Sequence, residues 1–228
     1  MSSFSVIIPC YHDEARLRNL LSQLQNMPHR PMEIVVVDGA DDQACRKICH
    51  QYGARWLAGE PCRGRQLVAG TALAQGDALW FLHADARLPA DPITAMQAAI
   101  EQGALGGYFR FRFDAPRAWP ALLLETAIAF RCRFGIPYGD QGLFMTRRAY
   151  VEAGGHSPWP LFEEVSLVRG LRRLGRFPAL REPLYVDPFR WHRDGWWRRT
   201  WVNRNLALAF ARGVPPDELA ARYYSKTT

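Results

Sequence analysis

Short apolar runs alternate with helical stretches over the first hundred residues, and this alternation limits the possible folds more than any other feature of the sequence. Residues 4–10 (FSVIIPC), 32–37 (MEIVVV) and 78–82 (ALWFL) have the length and composition of β-strands. The second run is apolar except for Glu33, which is typical of a central strand buried on both faces of a parallel sheet. A leucine stripe with helical spacing covers residues 17–24, and Asp13 before it is the expected N-cap of this helix. This βαβ order predicts an open, mainly parallel sheet flanked by helices.

The second half of the chain has a different character. Residues 106–113 (GGYFRFRF) alternate like a strand with one solvated face, and residues 119–133 and 162–174 have the spacing of helices. The 228 residues contain no low-complexity linker and no internal repeat. We therefore expect one domain, residues 1–186, and a C-terminal helical extension, residues 187–228, packed on the same domain.

Charge and cysteine content narrow the classes of protein to consider. A net charge of +7, nearly all from arginine, favours an anionic partner such as nucleic acid, phospholipid headgroups or a phosphorylated small molecule. The five cysteines form no CxxC pair and no zinc-type spacing, which indicates reduced thiols and a cytoplasmic location. The sequence shows neither a signal peptide nor a stretch of membrane-spanning length.

The residues that follow the three apolar runs are the first candidates for a site, because open parallel sheets bind ligands at the carboxyl ends of their strands. Asp38 can accept hydrogen bonds from a base or ribose, or it can be a turn or N-cap residue. Gly39 beside it lets the chain pass close to a ligand. Asp85 is a hard oxygen ligand for a metal that bridges a diphosphate, or a structural turn residue. His83 is a second ligand or an orienting partner.

Further candidates lie at predicted helix starts and in a glycine-rich turn. The sequence Arg63-Gly64-Arg65 precedes a helix and suits phosphate binding, with a solvated basic loop as the alternative. Glu163 and Glu164 are either complements of a helix dipole or include a general base for an acceptor hydroxyl. Asp140, in a turn between two glycines, has the same two interpretations.

Five segments, taken in chain order, resemble the successive motifs of family 2 glycosyltransferases. These segments are FSVIIPCYHDE, EIVVVDGADD, AQGDALWFLHADARLP, GDQGLFMTRRAYVEAGG and FEEVSLVRGLRRLGR. The FLHAD element and the tail RWHRDGWWRRTWVNRNLALAFARGVPPDEL resemble the small enzymes called radical-SAM/selenodomain-associated transferase 2. The resemblance covers residues 4–224, nearly the whole chain.

The resemblance implies a GT-A fold, a nucleoside-diphosphate-sugar donor and a divalent Mg or Mn ion, with a UDP-sugar as the first expectation for the donor. It implies an inverting displacement in which one carboxylate takes the proton of the acceptor hydroxyl. The residues expected at the donor are Pro9, Tyr11, Glu14, Asp38, Gly39, Arg65 and Ala84, those at the metal are Asp85 and His83, and the catalytic pair is Glu164 and Asp140.

Four positions depart from the family pattern. His83 replaces the first aspartate of the DxD element, Glu164 replaces the aspartate of the base motif, Val68 replaces a frequent asparagine and Gly170 a frequent arginine. These departures keep open a second function, a non-catalytic phosphate- or membrane-binding protein on the same fold. A nucleotidyltransferase or a Rossmann dehydrogenase would need a glycine-rich loop after the first strand, and PCYHDE contains none.

The tail interleaves tryptophan with arginine, and three interpretations stay open. It can dock on an anionic membrane near a lipid-linked acceptor, form a lid that stacks on an acceptor sugar, or pack its tryptophans on the core. The first of these would bring a cytoplasmic protein to the inner face of the membrane. Nucleic acid is not expected as a partner, because no RNP-like or OB-like pattern accompanies the aromatic residues.

Overall fold

The computed structural model describes residues 2–116 and 118–224, and that part of the chain contains eight strands, ten α-helices and a short 3-10 helix, Gly139–Gln141. The strands are β1 (Phe4–Cys10), β2 (Glu33–Asp38), β3 (Arg55–Ala58), β4 (Ala78–Phe81), β5 (Ala86–Arg87), β6 (Gly106–Phe113), β7 (Phe144–Thr146) and β8 (Ala179–Val186). The helices are α1 (Glu14–Gln25), α2 (Gln43–Gln51), α3 (Arg63–Leu73), α4 (Pro92–Glu101), α5 (Trp119–Phe134), α6 (Arg147–Glu152), α7 (Val165–Leu174), α8 (Phe189–Asp194), α9 (Trp196–Ala211) and α10 (Pro216–Tyr224).

The strands form one sheet in the order β3-β2-β1-β4-β7-β6-β8-β5. The pairs among β1, β2, β3 and β4 are parallel, and so is the pair of β6 with β8. Strand β7 is antiparallel to both neighbours, and β5 is antiparallel to β8. The predicted mainly parallel α/β sheet is therefore confirmed, with an antiparallel insertion in the second half.

Both faces of the sheet are buried, as the continuous apolar runs predict. Alternation along β1 sends Val6 and Ile8 to one face, where they join the buried side of α1, and Ile7 to the other, where it joins Leu67 of α3. Helices α1, α2 and α4 cover the first face, and α3, α6 and α7 cover the second. The carboxyl ends of the central strands remain as the edge available to a ligand.

Two local expectations differ from the structure. The predicted helix over residues 162–174 begins only at Val165, because Phe162 has a φ of +61°, in the left-handed region that a helix does not use. Asp13 precedes α1 but makes no capping hydrogen bond, and its carboxylate instead pairs with Arg16 at 3.3 Å. The first difference leaves both Glu163 and Glu164 outside the helix.

The C-terminal helices pack against the segment that leads into α7. The ring of Phe210 in α9 stacks on Phe162 at 4.7 Å, and Leu219 and Ala220 of α10 are buried in the same cluster. Residues 225–228, the end of the predicted extension, lie outside the described part of the chain. No helix in the described ranges combines the length and the apolarity needed to cross a membrane.

Candidate active site

The carboxyl ends of β1, β2 and β4 meet at one edge of the sheet, which brings the candidate residues of three separate segments together. Cys10 lies beside Asp38 in the parallel register of β1 and β2. The loop after β4 carries His83 and Asp85, and β4 pairs with the other side of β1. Parallel register thus assembles residues far apart in sequence, as the strand-end rule predicts.

Asp38 is fully buried, and both of its carboxylate oxygens are used within the protein. Oδ1 accepts a hydrogen bond from the Ala40 N–H at 3.0 Å, and Oδ2 accepts one from the Asp42 N–H at 2.8 Å. The Trp56 indole Nε1 donates to Oδ2 at 3.4 Å. In this structure the Asp38 carboxylate therefore holds the loop after β2 through hydrogen bonds. A nucleotide that donates a hydrogen bond to Asp38 would have to compete with these donors.

Gly39 and Gln66 hold the loops of this edge close together. A Cβ at Gly39 would lie 2.9 Å from the Pro61 Cα, so only glycine allows the two loops to approach this closely. The buried Gln66 side chain donates from Nε2 to the carbonyls of both Cys10 and Val37, each at 2.8 Å. Gln66 was not among the residues predicted from the sequence, although a glutamine at an inward position of a mostly apolar helix was the available signal.

Replacing Gln66 with leucine is expected to lower the free energy of unfolding by about 1–3 kcal/mol, because two buried carbonyls lose their donor. It should also weaken nucleotide binding by loosening the loops after β1 and β2. Urea denaturation measures the first effect. Gln51→Leu, which removes only a surface hydrogen bond to Arg18, is the control and should change stability by less than about 0.5 kcal/mol.

The residues expected near the nucleotide after β1 differ in their surroundings. Tyr11 is exposed, with its ring 4.4 Å from that of His12. Glu14 lies in the first turn of α1, and its Oε1 is buried with no hydrogen-bond partner among the described residues. Pro9 is a strand residue paired with Val37. Tyr11 thus offers a free aromatic surface and Glu14 an unused acceptor at the same edge.

The two arginines at the start of α3 have opposite positions. Arg65 lies on the surface and pairs with Glu60. Arg63 points inward and forms a two-point ion pair with the buried Glu163, with Nη2 donating to Oε2 at 3.0 Å and Nε donating to Oε1. Arg63 rather than Arg65 therefore contacts a buried carboxylate. The sequence Arg63-Gly64-Arg65 alone does not distinguish the two arginines.

Glu163 and Glu164 are adjacent and both buried, yet their environments are opposite. Burial works against ionisation of Glu163, but its ion pair with Arg63 prevails and holds the pKa of Glu163 below its ordinary value. Glu164 Oε2 has no hydrogen-bond partner in the described part of the chain. Burial, together with the charge of Glu163, raises the pKa of Glu164 to about 8. A carboxyl group with such a pKa can take up a proton near neutral pH.

His83, Asp140 and Asp85 complete the charged cluster. Burial lowers the pKa of His83, and the nearby Arg63 guanidinium adds to the effect, so the imidazole is neutral. Burial raises the pKa of Asp140, whose Oδ1 has no partner among the described residues. Asp85 is half-buried, and its side chain accepts no hydrogen bond from the residues that the structure describes. Ala84 between them is buried.

These residues fit a metal ion that is shared with a ligand. A neutral imidazole and a carboxylate without hydrogen bonds are suitable donors. Gly139 packs closely against the His83 imidazole, since a Cβ there would lie 2.8 Å from Nε2 and only glycine allows this approach. Over the described ranges, however, no three His, Cys, Asp or Glu side chains are grouped closely enough to hold a metal by themselves. The remaining ligands would have to come from substrate phosphates, as is common for Mg²⁺.

Two of the departures from the family pattern have local explanations. A Cβ at Gly170 would lie 2.6 Å from the Ala153 carbonyl oxygen, so glycine allows α7 to pack closely against the end of α6. Val68 is exposed on α3. The departure at Gly170 therefore follows from helix packing, and the one at Val68 lies on the surface of α3.

The sheet order, with charged residues at the carboxyl ends of its strands, is that of a GT-A fold, the fold of nucleotide-sugar transferases. Comparison with solved structures agrees with this assignment. The mannosyltransferase PcManGT of Pyrobaculum calidifontis, solved with GDP-Man and Mn²⁺, has a TM-score of 0.64 at 16% identity, over 98% of this chain and 69% of that one. TarS of S. aureus, residues 1–349, has a TM-score of 0.62 at 16% identity, over 82% and 61%. Glucosyl-3-phosphoglycerate synthase of Mycobacterium tuberculosis has a TM-score of 0.57 at 17% identity, over 81% and 71%.

The sequence comparison then identifies the family. The profile of glycosyl transferase family 2 matches residues 5–155, about two thirds of the chain. The protein belongs to this family and is a glycosyltransferase. No curated protein matches the sequence.

Proposed function

We propose that the protein transfers a sugar with inversion from a nucleoside-diphosphate-sugar, a UDP-sugar in the first instance, to an acceptor hydroxyl, with Glu164 as the general base. The observation that carries the proposal is the contrast between the neighbouring carboxylates. Arg63 keeps Glu163 ionised, while Glu164 is buried, its Oε2 has no hydrogen-bond partner among the described residues, and its pKa is raised to about 8. Two like groups with separated pKa values are typical of acid–base sites.

In the proposed reaction, Glu164 accepts the proton of the acceptor hydroxyl as its oxygen forms a bond to the anomeric carbon of the donor. The bond from that carbon to the diphosphate breaks, and the nucleoside diphosphate leaves with the bonding electrons. Asp140, the second catalytic candidate, would help to orient the acceptor. A bound divalent cation would stabilise negative charge on the diphosphate.

The donor and metal are supported by structural relatives and by local features. Glucosyl-3-phosphoglycerate synthase has been solved with Mn²⁺ and UDP, and PcManGT with Mn²⁺ and GDP-Man. We assign Asp85 and His83 to the cation, and the exposed ring of Tyr11 and the unused oxygen of Glu14 to the nucleotide. Pro9, Asp38, Gly39 and Ala84 would shape this part of the site, and Arg65 would reach the donor phosphates only by leaving Glu60.

The acceptor and the location are further parts of the proposal. A lipid-linked acceptor at the inner face of the membrane is supported by the exposed tryptophans of the C-terminal extension. We also propose that this extension, residues 187–228, is a unit packed on the domain of residues 1–186. The five free cysteines support a reducing, cytoplasmic location.

Thermal unfolding with a panel of nucleoside diphosphates and their sugars tests the donor site. At about 100 times its dissociation constant, the correct nucleotide should raise the midpoint by about 5–10 °C, since binding then adds about 2.7 kcal/mol. Mn²⁺ alone should have little effect and should increase the shift only when the nucleotide is present. Asp85→Asn should abolish the contribution of Mn²⁺.

The surface variant Asp114→Asn, which loses only an exposed ion pair with Arg87, is the matched control and should behave as the native protein. The donor assignment fails if no nucleotide changes the midpoint. The metal assignment fails if Asp85→Asn retains the full effect of Mn²⁺.

A further inference from the structure

Two rows of large apolar side chains lie exposed on α5 and α9. The rows consist of Trp119, Leu122, Leu123, Phe130 and Phe134 on α5, and of Trp197, Trp201 and Leu208 on α9. The rings of Trp119 and Trp197 lie 5.7 Å apart, so the two rows meet. We call this combined surface the α5–α9 face.

The exposure of the face follows from helical geometry. Trp119, Leu123, Phe130 and Phe134 are spaced by four, seven and four residues, which keeps them on one side of α5 while Ala121 on the opposite side packs on the core. The side chain of Phe130 is 70% exposed and that of Trp201 is 64% exposed. A continuous apolar surface of this kind marks an interaction site.

The tryptophans of the extension divide into two pairs with different surroundings. Trp191 and Trp196 each pack edge-on against Phe113, at 5.0 Å between ring centroids. Trp197 and Trp201, by contrast, are exposed on the α5–α9 face. Core packing therefore explains the first pair only.

The charges next to the apolar rows are of one sign. The sequence of α9 contains no Asp or Glu, and the one acid of α5, Glu125, accepts a hydrogen bond from the Phe113 N–H at 2.9 Å. Arg133 on α5 and Arg198 and Arg204 on α9 are exposed. The face thus combines apolar and cationic groups without an exposed balancing acid on either helix.

This combination selects among possible partners. A second copy of the chain, related by two-fold symmetry, would bring the same arginines towards one another. A nucleic acid would supply phosphates but no apolar phase for Leu122, Leu123 and Leu208. A bilayer that contains anionic lipids offers both an apolar interior and phosphate headgroups.

We infer that the α5–α9 face docks on an anionic lipid bilayer, with its aromatic and leucine side chains at the acyl boundary and its arginines against lipid phosphates. This deepens the membrane contact raised under the proposed function, and it does not depend on which sugar is transferred. Both docking helices also contact residues that neighbour the candidate active site in sequence. Phe210 of α9 stacks on Phe162, and Arg131 of α5 lies 4.2 Å above the Tyr138 ring, next to the turn of Asp140.

Co-sedimentation of the full chain with phosphatidylcholine vesicles, with and without phosphatidylglycerol, tests the inference. We expect binding that requires phosphatidylglycerol and weakens as salt is added. The double variants Phe130→Ser/Trp201→Ser and Arg133→Gln/Arg204→Gln should each reduce the vesicle affinity by on the order of tenfold or more. Val151→Ser and Arg148→Gln change equally exposed side chains on α6, away from the face, and should bind like the native protein.

Several results would overturn the inference. The first is that the protein binds neither kind of vesicle. The second is that the α6 control variants lose as much vesicle affinity as the face variants. The third is that both face variants bind vesicles like the native protein. Loss of a dimer in Phe130→Ser/Trp201→Ser without vesicle binding would assign the face to a second copy, and oligonucleotide binding without vesicle binding would assign it to nucleic acid. The nucleotide-induced shift of the thermal midpoint should be unchanged in all of these variants. This measurement therefore distinguishes a wrong donor-site assignment from a wrong membrane-docking assignment.

Discussion

Replacing Glu164 with glutamine is expected to lower kcat by about 10²–10⁴-fold, because the variant cannot accept the proton of the acceptor hydroxyl. Donor binding should be unaffected, since Glu164 Oε2 has no hydrogen-bond partner in the described part of the chain and glutamine has nearly the same shape. The measurement is a steady-state transfer assay, combined with the nucleotide-induced shift of the thermal midpoint. A selective loss of kcat with native donor binding distinguishes a base from a residue that only holds the fold.

The pH profile of the native enzyme gives a second measurement of the same assignment. The base must be ionised, and its pKa is raised to about 8 by burial and by the charge of Glu163. Activity is therefore expected to rise with pH up to about 8 and to level off above it. Glu164→Asp, which restores the residue type of the family, should retain part of the activity with a shifted profile. Transfer by Glu164→Gln at the native rate would refute the assignment.

The fold was predictable because its signals are local and repeated. Continuous apolar runs predicted β1, β2 and β4 to within a residue or two, and their order along the chain predicted parallel pairing. Strand β8 was missed because Arg181, Glu182 and Pro183 interrupt any regular alternation. Its pairing with β6 shifts register between Tyr108 and Arg110, a feature that depends on tertiary contacts.

For the candidate site, the sequence suggested several residues but not the contacts between them. Motif order identified Asp85 and Glu164, yet nothing in the sequence indicates that Arg63 pairs with Glu163 one hundred positions away. That long-range ion pair is what separates the pKa values of the two glutamates. The function of Gln66 as a bridge between β1 and β2 is likewise visible only once the strands are paired.

Replacing Glu163 with glutamine is expected to have the largest effect on stability. The variant leaves the Arg63 guanidinium without its carboxylate partner in a largely buried position. Breaking a buried ion pair costs about 3–5 kcal/mol, and we expect about 3 kcal/mol because a quarter of the Arg63 side chain remains exposed. Glu164→Gln, one residue along the chain and equally buried, changes a carboxylate whose Oε2 has no hydrogen-bond partner among the described residues, and it is the matched control. Urea denaturation at pH 7 compares the two, and equal losses of stability would contradict the ion-pair assignment.

The two variants should also differ in the sign of their pH dependence. The folded protein retains the Glu164 proton between the ordinary pKa of 4.5 and the raised value of about 8, whereas the unfolded chain loses it. Native stability therefore falls as pH rises through this window, by at most about 1.4 kcal/mol per pH unit from this group. Glu164→Gln lacks this titration, so its stability relative to the native protein should increase from pH 4.5 to 8.

Glu163 contributes in the opposite direction. Its lowered pKa in the folded state stabilises the native protein above the ordinary glutamate pKa, and this contribution is lost as pH falls through the lowered value. The deficit of Glu163→Gln should therefore be constant at neutral pH and shrink in acid. Unfolding measured from acid to alkaline pH separates the two residues by the sign of this slope. Parallel pH profiles for the two variants would show that the neighbouring glutamates share one environment, and the distinct role proposed for Glu164 would then lose its physical basis.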